Sequence, residues 1–324
     1  MTPLDVPQPE DDPPGLPGAE PEQAVLPPPV PVRPGGGEPA RRGRKADPVS
    51  EQAGPCHQAW LGPLRGGVSA AGYTLDQLAS LTGFSKTRLS TLLRGAENYP
   101  GWEITYSVVH VLGLPAWPLR RLWTAGAREA DKNQTWIAKH IGEVPFLKPE
   151  QPPLAYEVLT ATMREPYTDY AGALLQSERA GWIVAETFDL LWFGWDAALR
   201  SPDVRRHAWL LLRDRVLRRA HRHRDGRPDL RPAAFHTVAQ SLIEDPEARF
   251  AEISALAGFF DLLGQLPLDQ LDIVVLRYLC GLGTAALPEV VGLPPARVRT
   301  LDHHARGALE HLHPRHDDPG VITP

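Results

Sequence analysis

Apolar residues recur at helical spacing along most of this chain, from about Trp60 to Leu312, while strand-like alternation is nearly absent. The clearest run lies at 72–100. Thr74 and Gln77 form a T-x-x-Q capping box, in which each side chain takes up a backbone N–H that the first helical turn leaves unpaired, so a helix is predicted to start at Leu75. Leu75, Leu78, Ala79 and Thr82 then share one face. Gly83 suits a turn that needs positive φ, Ser85 suits the cap of a following helix, and Leu89, Leu92, Leu93 and Ala96 repeat the stripe. Two short amphipathic helices joined by a glycine turn are the pattern of a helix-turn-helix.

Further along, Val184, Phe188, Leu191, Trp195 and Leu199 form one stripe and Trp209, Leu212, Val216 and Ala220 another, with Ser201-Pro202 between them as cap and first-turn proline. Leu268, Leu271, Val274, Val275, Tyr278, Leu279 and Leu282 keep one face until Gly281 and Gly283 end it. A short helix at about 284–291 and a longer one at 295–312, with Val298, Leu301, Ala305, Leu309 and Leu312 aligned, make a second helix-turn-helix candidate.

Residues 1–55 are rich in proline and glycine and poor in large apolar side chains, so burial cannot offset chain entropy and a disordered tail is predicted. Pro145, Pro149, Pro152 and Pro153, then Pro228 and Pro232, mark linkers. The expected class is therefore all-α. The expected layout is a tail at 1–55, helical domains at 56–130, 156–228 and 256–313, linkers at 131–155 and 229–255, and a polar tail at 314–324.

Composition narrows the function. The 324 residues suffice for two or three cores, and a net charge of −5 means that any nucleic-acid contact must come from local basic patches. Two cysteines, Cys56 and Cys280, cannot build a disulfide framework or a cysteine-rich zinc site, which fits a reducing cytoplasm. No apolar run approaches the roughly 18 residues of a membrane span and no signal peptide is evident, so no membrane partner is expected. Glycine-rich phosphate loops, nucleophile elbows and H-E-x-x-H motifs are missing too, so neither enzyme activity nor a cofactor is expected. His303, His304, His311, His313 and His316, with Asp302 and Asp317, invite a metal, but adjacent histidines on one helix point about 100° apart and no metal site is expected.

Candidate chemistry centres on the second helix of the first motif. Ser85, Lys86, Thr87, Arg88, Ser90, Thr91 and Arg94 fall on its outward side, where arginine can pair with guanine and hydroxyls with bases or phosphates. A solvated polar face would carry the same residues. The run Arg205, Arg206, Arg213, Arg215, Arg218, Arg219, Arg222 and Arg224 is open to two readings as well, a phosphate-contacting surface or a solvated helix end. The basic cluster at 41–45 reads as a solubilising group or a minor-groove arm.

Residues 58–130 resemble the phage-repressor-like (Xre/Cro-type) helix-turn-helix domains common in actinobacteria. The matching residues are Leu75-Asp76-Gln77-Leu78-Ala79, Gly83-Phe84-Ser85-Lys86, Leu89-Ser90, Leu92-Leu93-Arg94-Gly95, Pro100, Trp102, Leu112-Gly113 and Trp123. The resemblance implies a compact five-helix domain that sets residues 85–94 in the DNA major groove. A departure is the first helix, where Gly62, Pro63, Gly66 and Gly67 predict a short or bent element.

Residues 156–312 resemble the promoter-binding domains of extracytoplasmic-function sigma factors, through Glu186-Thr187-Phe188, Trp195 and Ala208-Trp209-Leu210, then Leu266-Pro267, Val275-Leu276-Arg277-Tyr278, Gly281-Leu282, Glu289-Val290-Val291-Gly292-Leu293, Val298 and Ala305-Arg306. This implies DNA contact through Arg297, Arg299 and Thr300 of the last helix. It also implies RNA polymerase core or another regulator as partner. Several positions depart from the family: Gly181-Trp182-Ile183-Val184 replaces an acidic run, Pro288 falls inside a helix, Pro294 replaces a polar cap, and Asp302 replaces an apolar residue. The expected function is a cytoplasmic, nucleoid-associated regulator that binds double-stranded DNA but does not melt promoters by itself. The alternative is a non-catalytic interaction scaffold. Neither reading specifies an oligomeric state.

Overall fold

A computed structural model of the chain describes residues 48–144, 150–175, 177–225, 227–231 and 245–312, and these are mostly helical, with two short strands. The expected tail as far as residue 47, the basic cluster at 41–45, and the residues from 313 onward lie outside the described residues. The tail boundary moves inward, because residues 48–54 already pack. Ser50 donates its N–H to the Arg94 carbonyl at 2.8 Å, and Ala53 is buried.

Six helices form an N-terminal core: α1 (Pro55–Ala71), α2 (Leu75–Thr82), α3 (Lys86–Arg94), α4 (Trp102–Leu112), α5 (Ala116–Glu129) and α6 (Gln134–Gly142). α1 runs its full 17 residues despite its glycines and Pro63. Each interior glycine costs about 1 kcal/mol, but Trp60, Leu61 and Leu64 are wholly buried, and each contributes roughly 1.5–3 kcal/mol. Packing therefore wins. The segment expected as a linker at 131–155 carries α6, capped by the Asn133 side chain, which accepts the Trp136 N–H at 2.8 Å, and anchored by buried Ile137.

At the centre of this core the Tyr99 hydroxyl accepts the Trp60 indole N–H at 3.2 Å and donates to the Trp123 carbonyl at 2.7 Å. The Trp123 ring lies 5.5 Å from that of Trp102 and 5.7 Å from that of Trp136, the latter pair nearly parallel. His57 is buried against Trp60 and Tyr99, and desolvation lowers its pKa to about 4.

The remaining helices share one C-terminal core. They are α7 (Leu154–Leu174), α8 (Ser177–Phe193), α9 (Trp195–Leu199), α10 (Val204–Arg219), α11 (Pro246–Leu263), α12 (Leu268–Val274), α13 (Leu287–Val291) and α14 (Pro295–Leu312). α12 continues as a π-turn over Val275–Leu279, and Gly281 at φ +70° closes it. Short strands β1 (His221–Arg222) and β2 (Pro228–Asp229) pair antiparallel, β1 inside the expected 156–228 helical domain and β2 across its end. The linker expected at 229–255 holds the start of α11, with Asp245 as its cap.

Three local expectations are corrected. Asp203, not Ser201, caps α10, accepting the N–H groups of Arg205 and Arg206 at 2.7 and 3.0 Å. Pro288 occupies the first turn of α13, where its missing N–H costs nothing, rather than a helix interior. Leu199 is exposed at the end of its stripe. The helices expected at 156–228 and 256–313 as separate domains bury their apolar faces together. α8 serves both cores: Ile183, Val184, Phe188 and Leu191 face the C-terminal one, and Leu190 and Phe193 the N-terminal one.

Candidate nucleic-acid interface

The α2–α3 pair follows its local code. The Thr74 N–H donates to the Gln77 side-chain oxygen at 2.8 Å, and the Gln77 N–H returns to the Thr74 hydroxyl at 3.2 Å. Gly83 takes φ +74° and Ser85 caps α3, its hydroxyl accepting the Arg88 N–H at 3.4 Å. Leu78, Leu89 and Leu92 sink into the core, which turns the opposite side of α3 outward.

On that outward side Ser85, Lys86, Thr87 and Arg88 are exposed, while Ser90, Thr91 and Arg94 are half-buried. Lys86 pairs with Asp76 of α2. Both partners are exposed, so the pair contributes no more than about 1 kcal/mol, and a phosphate could displace the carboxylate. The Arg88 guanidinium lies 4.8 Å from the centre of the Phe84 ring, which holds the long side chain up without using its donors. Arg94 turns back, its Nε donating to the Ser90 carbonyl at 3.4 Å, and Arg65 of α1 donates to the Leu93 carbonyl at 3.1 Å. The C-cap Gly95, at φ +61°, rests on α1, where an added Cβ would meet Leu61 at 2.8 Å. α3 is thus seated at both ends. Phe84 and Asp76, which position the two foremost cations, were missed as site residues; being one turn away, Phe84 was the recoverable one.

In the C-terminal core, Arg297, Arg299 and Thr300 are exposed on α14, and the Thr300 hydroxyl donates to the Ala296 carbonyl at 3.1 Å. Two buried carboxylates of this core find partners. Asp302 is buried and receives Arg277, the Tyr278 hydroxyl at 3.2 Å and Arg306 at 3.2 Å. Asp272, 1% exposed, accepts from the Tyr170 hydroxyl, the Trp209 indole and Arg213 at 2.8, 2.7 and 2.9 Å.

The arginine run of α10 does not form an open phosphate-binding strip. Arg205 pairs with Glu289, Arg206 and Arg213 both reach Asp269 at 2.7 Å, Arg218 reaches Asp214 at 2.8 Å, and Arg219 reaches buried Glu186 at 2.6 Å. The Arg222 side chain lies outside the described residues, and Arg224 is exposed. Burial raises the pKa of Glu186, Asp189 and Asp272, and the guanidinium beside each pulls it back. The aromatic side chains of Trp192, Phe193 and Trp195 are buried. Within Gly181-Trp182-Ile183-Val184, Ile183 and Val184 are buried, while Trp182 is exposed beneath the Arg219 guanidinium.

The described residues contain no helix long and apolar enough to cross a membrane. Comparison with protein-family models, curated proteins and solved structures returns no match.

Proposed function

We propose that this protein is a sequence-specific DNA-binding regulator of transcription that reads double-stranded DNA with α3. The observation that carries this reading is the outward placement of Lys86, Thr87 and Arg88 on a helix capped at both ends and held by α1 and α2. A helix of this size enters the major groove, and an arginine presented from its first turn can pair with guanine. Arg88→Ala in the full chain is expected to cost about 1–3 kcal/mol of discrimination among sites while helical content stays unchanged. A selection experiment from random duplexes at low salt that enriches no motif would overturn this reading.

In the same proposal the C-terminal core meets RNA polymerase or another regulator and does not melt promoters alone. The pairing of the α10 arginines with acids of the same chain supports this, as does the burial of Trp192, Phe193 and Trp195. These side chains would have to be released before they could touch phosphates or stack on unpaired bases. Transcription reconstituted with sigma-free core polymerase is expected to give no start-site-specific product from this protein alone. The second reading, an interaction scaffold, is favoured by those same pairings and differs in expecting no selected DNA motif.

A further inference from the structure

Two surfaces of the molecule lack a partner, and they match. The first is the outward side of α7. Tyr156, Met163, Tyr167 and Tyr170 bury its inner side in the C-terminal core. Leu154, Val158, Ala161 and Glu165 recur at i, i+4, i+7 and i+11, so they form one ridge about 60° wide on the opposite side. Leu154 is 74% exposed and Val158 60%, the two most exposed large apolar residues among those described. Such residues in a row mark a contact surface. Acids accompany the ridge: Glu157, Glu165 and Asp169 are exposed, and none pairs with a cation among the described residues. Partial burial and the Glu165 carboxylate one turn away raise the pKa of Asp169, and like charges at that spacing weaken a helix. Arg164, the only base on α7, turns back over the Phe188 ring at 5.2 Å.

The second surface is a groove of 480 Å³ lined by α5, α6 and α8. Its α5 side sets the small residues Thr124 and Ala125 between Arg120 and Arg128. Ile141 of α6 and Trp182 of α8 give it apolar area, and Trp182 is the one exposed tryptophan among the described residues. Both acids in the groove are already neutralised, Glu186 by Arg219 at 2.6 Å and Asp189 by Arg121. Arg120 rests 5.6 Å over the Trp117 ring and Arg128 stands exposed, and neither meets a carboxylate among the described residues. The groove is therefore apolar with two cations in excess.

The two surfaces agree in sign and in length. Glu157 and Glu165 stand eight residues apart on one helix, and Arg120 and Arg128 eight apart on another, so each pair spans about 12 Å along its axis. Within one chain they cannot meet, because α7 is fixed to α8 by its inner side and its ridge points away from that helix. We propose that the α7 ridge of one copy lies in the α5–α6–α8 groove of a second copy, with Leu154 and Val158 on Trp182 and Ile141 and the two glutamates on Arg120 and Arg128. Unlike surfaces meet in this contact, so it runs head to tail, and each added chain offers a free ridge or groove to the next. One helix in a groove is at the small end of specific interfaces, so the assembly forms and dissociates with concentration. It does not depend on DNA binding.

The test is sedimentation of the full chain over a range of concentrations, with two variants. Val158→Arg spoils the ridge and leaves the groove; Trp182→Ala with Arg128→Glu spoils the groove and leaves the ridge. All three side chains are exposed, so helical content should be unchanged in both. The unaltered chain is expected to rise above the mass of one copy as concentration increases. Each variant alone should associate at least tenfold more weakly. Mixed in equal amounts, the two variants retain one good ridge and one good groove between them, so they should form a complex of two chains that grows no further. A mixture no more associated than its parts would overturn the proposal, and so would a variant that associates as well as the parent. An unaltered chain that keeps the mass of one copy at every concentration would overturn it too, and would leave the ridge and the groove to other proteins.

Discussion

In the N-terminal core Lys86 and Arg88 stand exposed on α3 with a surface carboxylate and an aromatic ring for company, whereas in the C-terminal core Arg206, Arg213 and Arg219 lie against Asp269, Asp272 and Glu186. Both regions are arginine-bearing helices that a composition argument would treat alike. The difference is made by acids distant in the chain. Where an acid meets the guanidinium inside the fold, the cation becomes part of the packing. Where no buried acid is supplied, it stays available to a polyanion.

The strongest way to break this comparison is Asp272→Ala. Removing that carboxylate leaves the buried Trp209 indole and Tyr170 hydroxyl without an acceptor and Arg213 with Asp269 alone, and a loss of about 3–5 kcal/mol is expected in chemical denaturation. A loss under about 1 kcal/mol would mean that the arginines of α10 are not structural.

Next comes acid sensitivity of the N-terminal core. His57 has a folded pKa of about 4 against an ordinary 6.5, so between those values the unfolded chain binds a proton that the folded chain refuses. Stability therefore falls as pH drops through this window, by about 3 kcal/mol from this group. His57→Phe should keep the ring stacking and remove that part of the slope of melting temperature against pH.

A smaller effect is expected from Gly95→Ala, which combines positive φ with a clash on Leu61 and should cost roughly 1–3 kcal/mol. Smallest in stability is Lys86→Ala, expected to leave the melting temperature within a degree or so. If α3 contacts phosphate, it should lower the salt dependence of DNA binding by about one unit of slope. The same measurement on Arg206→Ala should show no change in slope, and a decrease there would erase the contrast between the two helices.

What could be read in the sequence was what depends on neighbours. Thr74 with Gln77, Gly83 and Ser85 define α2 and α3 within a dozen residues, and the structure follows them closely. α6 was hidden by the prolines just beyond it, although Asn133 is a good cap. Ser201 was read as the cap because Pro202 follows it, whereas Asp203, two positions on, takes the role. The shared C-terminal core and the roles of Asp272 and Asp302 were out of reach for another reason. Asp272 meets Tyr170 across 102 positions and Trp209 across 63, and no periodicity records such a meeting. Asp302 reads as a defect until Arg277 and Arg306 are seen around it.

The clustered indoles of Trp102, Trp123 and Trp136 have a consequence for optical work on the chain. Ring centres 5.5 and 5.7 Å apart bring neighbouring transition dipoles close enough to couple. In the C-terminal core the corresponding close contact is between unlike chromophores, Tyr170 and Trp209 at 4.7 Å. An exciton-split circular dichroism band should therefore originate mainly in the first core. Melted alongside the amide signal, which comes from every helix, that band gives the N-terminal half its own clock and reveals whether the two halves come apart together or in turn.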